Sequence, residues 1–80
     1  MTTHLSRMDM RLLVGRNLRR ARKAKGLTQE QLSERTGVAQ QHLSELERGH
    51  GNPTVVTLYE LAQVLDVTVV MLVSPDEEEA

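Results

Sequence analysis

Along the first third of the chain, apolar residues fall mostly three or four positions apart. Met8, Leu12, Val14, Leu18 and Ala21 form one stripe between Ser6 and Lys25, while Arg16, Arg19, Arg20 and Lys23 lie largely off it. This pattern predicts a long first helix. Gly26 follows as a left-handed terminator, with Leu27 placed to fold back on the helix end. Thr28-Gln29-Glu30-Gln31 has the form of a capping box, so a second helix is expected over Gln29 to Thr36 with Leu32 as its core contact. Gly37 ends that helix.

Only Gly37, Val38 and Ala39 separate the second helix from the next periodic segment, and so short a link sets two helices at a steep angle, as in a helix-turn-helix. On the third helix, Gln40, Gln41, Ser44, Glu45 and Arg48 fall within about 140° of arc at the helical repeat of 100° per residue. Leu43 and Leu46 face the other way, toward Leu32 and Leu18. The outward surface is therefore wholly polar and rich in amides. Gly49 to Pro53 is a loop by composition, and Pro53-Thr54 suits the start of a fourth helix lined by Val55, Leu58, Leu61, Ala62 and Leu65.

The segment Val67 to Val73 has strand propensity, but a single strand would have no sheet to join. We read it as a short fifth helix capped by Thr68 and closed by Ser74-Pro75, giving an all-α bundle of five helices. Core packing accounts for Val69 and Leu72. Val70, Met71 and Val73 are left over, and they predict a two-fold dimer interface in the C-terminal region. Residues 1–75 then form one domain, and Asp76 to Ala80 an acidic disordered tail.

Charge changes the picture once it is divided along the chain. The net charge is -1, yet residues 1–50 carry +5 and residues 51–80 carry -6. A focused basic surface attracts polyanions even when the total is near neutral, because salt screens charges beyond about 8 Å at physiological ionic strength. The chain has no cysteine, which removes disulfides and zinc-thiolate sites and fits a reducing cytoplasm. No apolar run is long enough to cross a bilayer, and the first residues lack the pattern of a signal peptide, so a cytoplasmic location is expected. His4, His42 and His50 lack ligand spacing and are read as surface histidines, with no metal or cofactor expected. No nucleophile-base constellation or phosphate loop points to an enzyme.

The run Gly26-Leu27-Thr28-Gln29-Glu30-Gln31-Leu32, then Gly37-Val38, then Leu43-Ser44-Glu45-Leu46-Glu47-Arg48-Gly49 resembles the Cro and phage-repressor (XRE) family. Pro53, Leu58, Leu61-Ala62 and Leu65 extend the resemblance, which covers roughly residues 14–72. It implies a lambda-repressor-like domain whose third helix enters the major groove of double-stranded DNA. By that resemblance Gln40, Gln41, Ser44 and Glu45 touch base edges, and Gln29 clamps a phosphate. A glutamine amide can pair with adenine through two hydrogen bonds, and a glutamate can accept from cytosine.

Arg19, Lys23 and Arg48 are the expected phosphate contacts. The family further suggests an ion pair between Arg22 and Glu47 linking the first and third helices. One departure stands out: Ala39 occupies a position where the family usually has Ser or Thr, so the third helix lacks a side-chain N-cap. The chain thus reads as a transcription regulator, most simply a repressor acting as a homodimer on an inverted repeat. The alternative is an antitoxin whose acidic tail binds a basic toxin while the helix-turn-helix represses the shared operon. Glu30 and Glu34 project from the second helix, either as solvating charge or as a contact for RNA polymerase, as in some phage repressors of the family.

Overall fold

A computed structural model describes residues 7–75, which form five helices and, among the described residues, no strand. They are α1 (Arg7–Ala24), α2 (Gln29–Thr36), α3 (Gln40–Glu47), α4 (Val55–Leu65) and α5 (Val69–Val73). The expected disordered tail and His4 lie outside the described residues.

Local chemistry sets most of the boundaries. After α1, Gly26 takes φ 75°, its N–H donates to Lys23 O at 3.0 Å, and Leu27 N–H donates to Arg22 O at 3.1 Å. This is a Schellman ending, and it turns Leu27 back into the core. The same motif ends α3, where Gly49 N–H meets Leu46 O at 3.0 Å and His50 N–H meets Glu45 O at 2.9 Å. It also ends α4, but there the left-handed residue is Asp66 at φ 58°. Asp66 accepts an ion pair from Lys25 at the end of α1, which fastens two helix ends together.

The capping box of α2 is complete. Gln31 N–H donates to Thr28 Oγ1 at 3.0 Å, and Thr28 N–H donates to Gln31 Oε1 at 2.9 Å. Thr54 and Thr68 cap α4 and α5 in the same manner, each accepting from the backbone N–H three residues on. Pro53 stands before the cap of α4, so it precedes the helix and does not open it. Ala39 makes no side-chain cap for α3.

The core is almost entirely leucine. Leu18, Leu27, Leu32, Leu43, Leu46, Leu61 and Leu65 form the main cluster, joining the first four helices and the α1–α2 link. Leu58, Ala62 and Leu72 form a second cluster where α5 closes over α4. Three sequence expectations need correction here. Leu12 is 47% exposed and Leu13 is buried in its place, because α1 is covered on two flanks, by α3 and by α5. The α5 flank carries Leu13 and Asn17, one turn apart on the same face. Val55 is 73% exposed, since it stands at the first residue of α4, one turn short of where the core begins at Leu58. Val73 is not left over: it is half-buried and packs against the second cluster, because α5 lays its Val69–Val73 side on α4.

Candidate nucleic-acid interface

The surface of α3 is built from the turn upward. Gly37 adopts φ 80° and donates its N–H to Ser33 O at 2.8 Å, while Thr36 Oγ1 donates to Leu32 O at 2.7 Å and accepts from Val38 N–H at 3.2 Å. These bonds stop α2 and redirect the chain within three residues. Leu43 and Leu46 then anchor α3 to the core by its inner side. The outer side carries Gln40 and Gln41, both exposed, with Ser44 and Glu45 half-buried beside them. Arg48 lies just past the helix as its C-cap residue and is also exposed.

The crossing of α1 over the end of α3 is close because of Gly15. A Cβ at that position would sit 2.3 Å from Leu46 O and 2.9 Å from Glu47 O, so only glycine fits. Gly15, Arg19 and Arg22 recur at i, i+4 and i+7, on the flank of α1 that meets α3. Arg19 and Lys23 are exposed on α1, one turn apart. The backbone approach thus brings cationic side chains of α1 toward the amide-bearing helix.

Beneath this surface lies a polar knot. Arg22 Nε donates to Glu47 Oε2 at 2.6 Å and Arg22 Nη2 to Glu47 Oε1 at 2.9 Å, a fork-on-fork pair. The side chains are only 12% and 4% exposed. The hydrogen bond to Glu47, reinforced by its charge, holds the Arg22 guanidinium above its ordinary pKa despite the opposing cost of burial. Arg22 Nη1 also donates to Leu27 O at 2.8 Å, and Gln29 Nε2 donates to Glu47 Oε1 at 3.2 Å. Gln29, expected from resemblance as a phosphate clamp, is therefore half-buried and turned onto Glu47.

Other expected residues are placed as follows. Glu30 and Glu34 are exposed on α2. Val70 and Met71 are 67% and 58% exposed on α5, and Met71 borders a groove of about 250 Å³ with Asn17, Ala21 and Val67. His50 is exposed and His42 half-buried; among the described residues, no three His, Asp or Glu side chains gather as a metal site would need. No helix among the described residues is long and apolar enough to cross a membrane.

Sequence reasoning missed Gly15, Thr36 and Asn17. Asn17 Nδ2 donates to Leu72 O at 3.0 Å and Ser74 O at 2.8 Å, which satisfies the end of α5. The available signal was an asparagine within a helix, where this residue type is disfavoured unless its amide is used.

The helix-turn-helix family model (HTH_3) matches residues 18–72, more than half of the chain. The chain belongs to the XRE-type helix-turn-helix family. It is 62% identical over 71 residues to the uncharacterized HTH-type transcriptional regulator y4dJ of Sinorhizobium fredii, covering 89% of this chain and 92% of that one. The structure of the hypothetical transcription factor NHTF from Neisseria aligns with TM-score 0.82 at 27% identity, over 98% of this chain and 90% of that one. The master regulator for biofilm formation SinR, solved in complex with DNA, aligns with TM-score 0.74 at 37% identity, over 76% of this chain and 98% of that chain. Against full-length SinR of Bacillus subtilis, this chain spans 60% of the length. This XRE-type chain is accordingly a transcription regulator with a helix-turn-helix DNA-binding fold, in a family that is not enzymatic.

Proposed function

We propose that the chain is a sequence-specific repressor that binds double-stranded DNA as a homodimer at an inverted-repeat operator in the cytoplasm. The observation that carries this reading is the side of α3 that bears exposed Gln40 and Gln41, with exposed Arg19, Lys23 and Arg48 on the same flank of the bundle. Amides and a carboxylate match the donor and acceptor code of the major groove, so Gln40, Gln41, Ser44 and Glu45 read base edges. Arg19, Lys23 and Arg48 grip phosphates and set the register without reading sequence, and Gln29 adds a neutral phosphate contact at the start of α2. That SinR, 37% identical, was solved in complex with DNA supports DNA binding by this chain. Residues 1–75 act as one binding unit.

Val70 and Met71, exposed on α5, supply the apolar contact of the dimer. Pairing through α5 sets two copies of α3 about 34 Å apart, one turn of duplex. Glu30 and Glu34 serve as solvating charge; if replacing both with Ala abolishes stimulated transcription while DNA affinity holds, they touch RNA polymerase instead.

Selection of bound duplexes from a random pool tests the reading. The wild-type chain should recover an inverted repeat, and Gln40→Ala or Gln41→Ala should relax one base position per half-site. Arg19→Ala should weaken all sequences alike and lower the salt slope by about 1. Val70→Glu should give a monomer in sedimentation and lose the inverted-repeat preference. Recovery of no common sequence by the wild-type chain would sink the proposal.

A further inference from the structure

The carboxylate of Glu47 has more partners than an ion pair needs. Its Oε2 accepts from Arg22 Nε at 2.6 Å, and its Oε1 accepts from both Arg22 Nη2 at 2.9 Å and Gln29 Nε2 at 3.2 Å. A carboxylate only accepts, so the Gln29 amide must turn its NH2 toward Glu47; a flipped amide would set oxygen against oxygen. One N–H of that NH2 is consumed. The other lies in the same amide plane, splayed away from the carboxylate, and is left for an acceptor outside the pair.

Gln29 is the first residue of α2 and Glu47 the last of α3, while Arg22 binds both Glu47 and the carbonyl of Leu27 in the α1–α2 link. One carboxylate, 4% exposed, thus joins the starting edge of α2 to the helix that carries Gln40 and Gln41.

We infer that Glu47 is a positioning residue for DNA binding: it fixes the Gln29 amide with an N–H directed at a phosphate oxygen, and so ties that grip to the register of α3. The inference rests on the reading of Gln29 as a phosphate contact. Its consequence is that Glu47 governs a backbone contact it never makes, through Gln29, separately from its part in stability.

The test uses the full chain and a mixed-sequence duplex, because phosphate contact is independent of sequence. Gln29→Ala should weaken affinity about tenfold at every salt concentration, with the slope of log affinity against log salt unchanged, because a neutral amide releases no counterion. Glu47→Asp keeps the charge that Arg22 needs but is one methylene shorter, and it should weaken affinity equally. The double variant should fall no further. In the free wild-type chain, the Gln29 side-chain NH2 proton that faces Glu47 should be shifted from its free-amide value, and on adding duplex only the outer one should move. If Glu47→Asp keeps the wild-type affinity, or the two losses add, positioning is refuted while the phosphate contact stands. An unchanged affinity in Gln29→Ala removes the phosphate contact and this inference together. Should Glu47→Asp fail to fold, the wild-type spectrum decides: Gln29 resonances at free-amide values overturn the inference.

Discussion

The two halves of the molecule share a leucine core and differ in what is added to it. Where α1, α2 and α3 meet, the leucines are joined by directional contacts: a fork-on-fork ion pair, an amide on its carboxylate, and a glycine crossing that fixes backbone against backbone. Where α4 and α5 close the bundle, leucine and valine packing dominates, with Asn17 on the carbonyls of Leu72 and Ser74 and the Lys25–Asp66 ion pair as polar fastenings. Apolar packing tolerates small shifts, whereas hydrogen bonds fail once their angles change. A surface that reads base edges needs the second kind of precision. The α4–α5 half instead leaves Val55, Val56, Tyr59, Val70 and Met71 exposed.

The sharpest way to break this contrast is Arg22→Met, which leaves the Glu47 carboxylate buried without its partner. A loss of about 3 to 5 kcal/mol is expected in denaturant unfolding. A value near zero would mean that the directional half does not depend on its polar knot. Gly15→Ala comes next. Helix propensity alone predicts a gain of about 1 kcal/mol, but the new Cβ would press on the carbonyls of Leu46 and Glu47, and a net loss of about 1 to 3 kcal/mol is expected. A raised melting temperature would show that α1 can lift off α3 at no cost.

Asn17→Ala probes the other half. It leaves two carbonyls at the end of α5 unanswered and should cost about 1 to 2 kcal/mol, with faster amide exchange confined to α5. Uniform exchange changes across all five helices would contradict the division into two regions. The smallest effect is expected from Ala39→Ser, which supplies α3 with the missing cap and should add about 0.5 to 1 kcal/mol. Unchanged stability would indicate that the turn already satisfies the first N–H groups of α3.

Much of the fold was legible because its signals are local. The capping box of Thr28 and Gln31, the terminators Gly26 and Gly37, and the cap at Thr68 each act within four residues, so spacing alone exposes them. The amide-bearing side of α3 was legible for the same reason: opposite faces of one helix follow from its own period. Arg22 and Glu47 were matched only through family resemblance, since nothing in their spacing of 25 residues shows that they meet. Leu12 and Leu13 were interchanged because a single stripe was assumed on α1, and the packing of α5 adds a second buried flank. Val73 was misassigned because the side of α5 that meets α4 depends on crossing geometry, which periodicity does not carry in a helix of five residues.

The sequence by itself determined where helices begin and end, which residues anchor α2 and α3 to the core, and that α3 presents a polar side in a basic half of the chain. These are properties of a single helix period and its ends, decided by contacts no more than a turn long. Only the tertiary structure decided that Gly15 must be small, that Asn17 closes a helix 55 residues away, and that Glu47 gathers both Arg22 and Gln29. Those contacts depend on the distance and angle between packed helices, and that geometry arises only when all the apolar faces are buried at once.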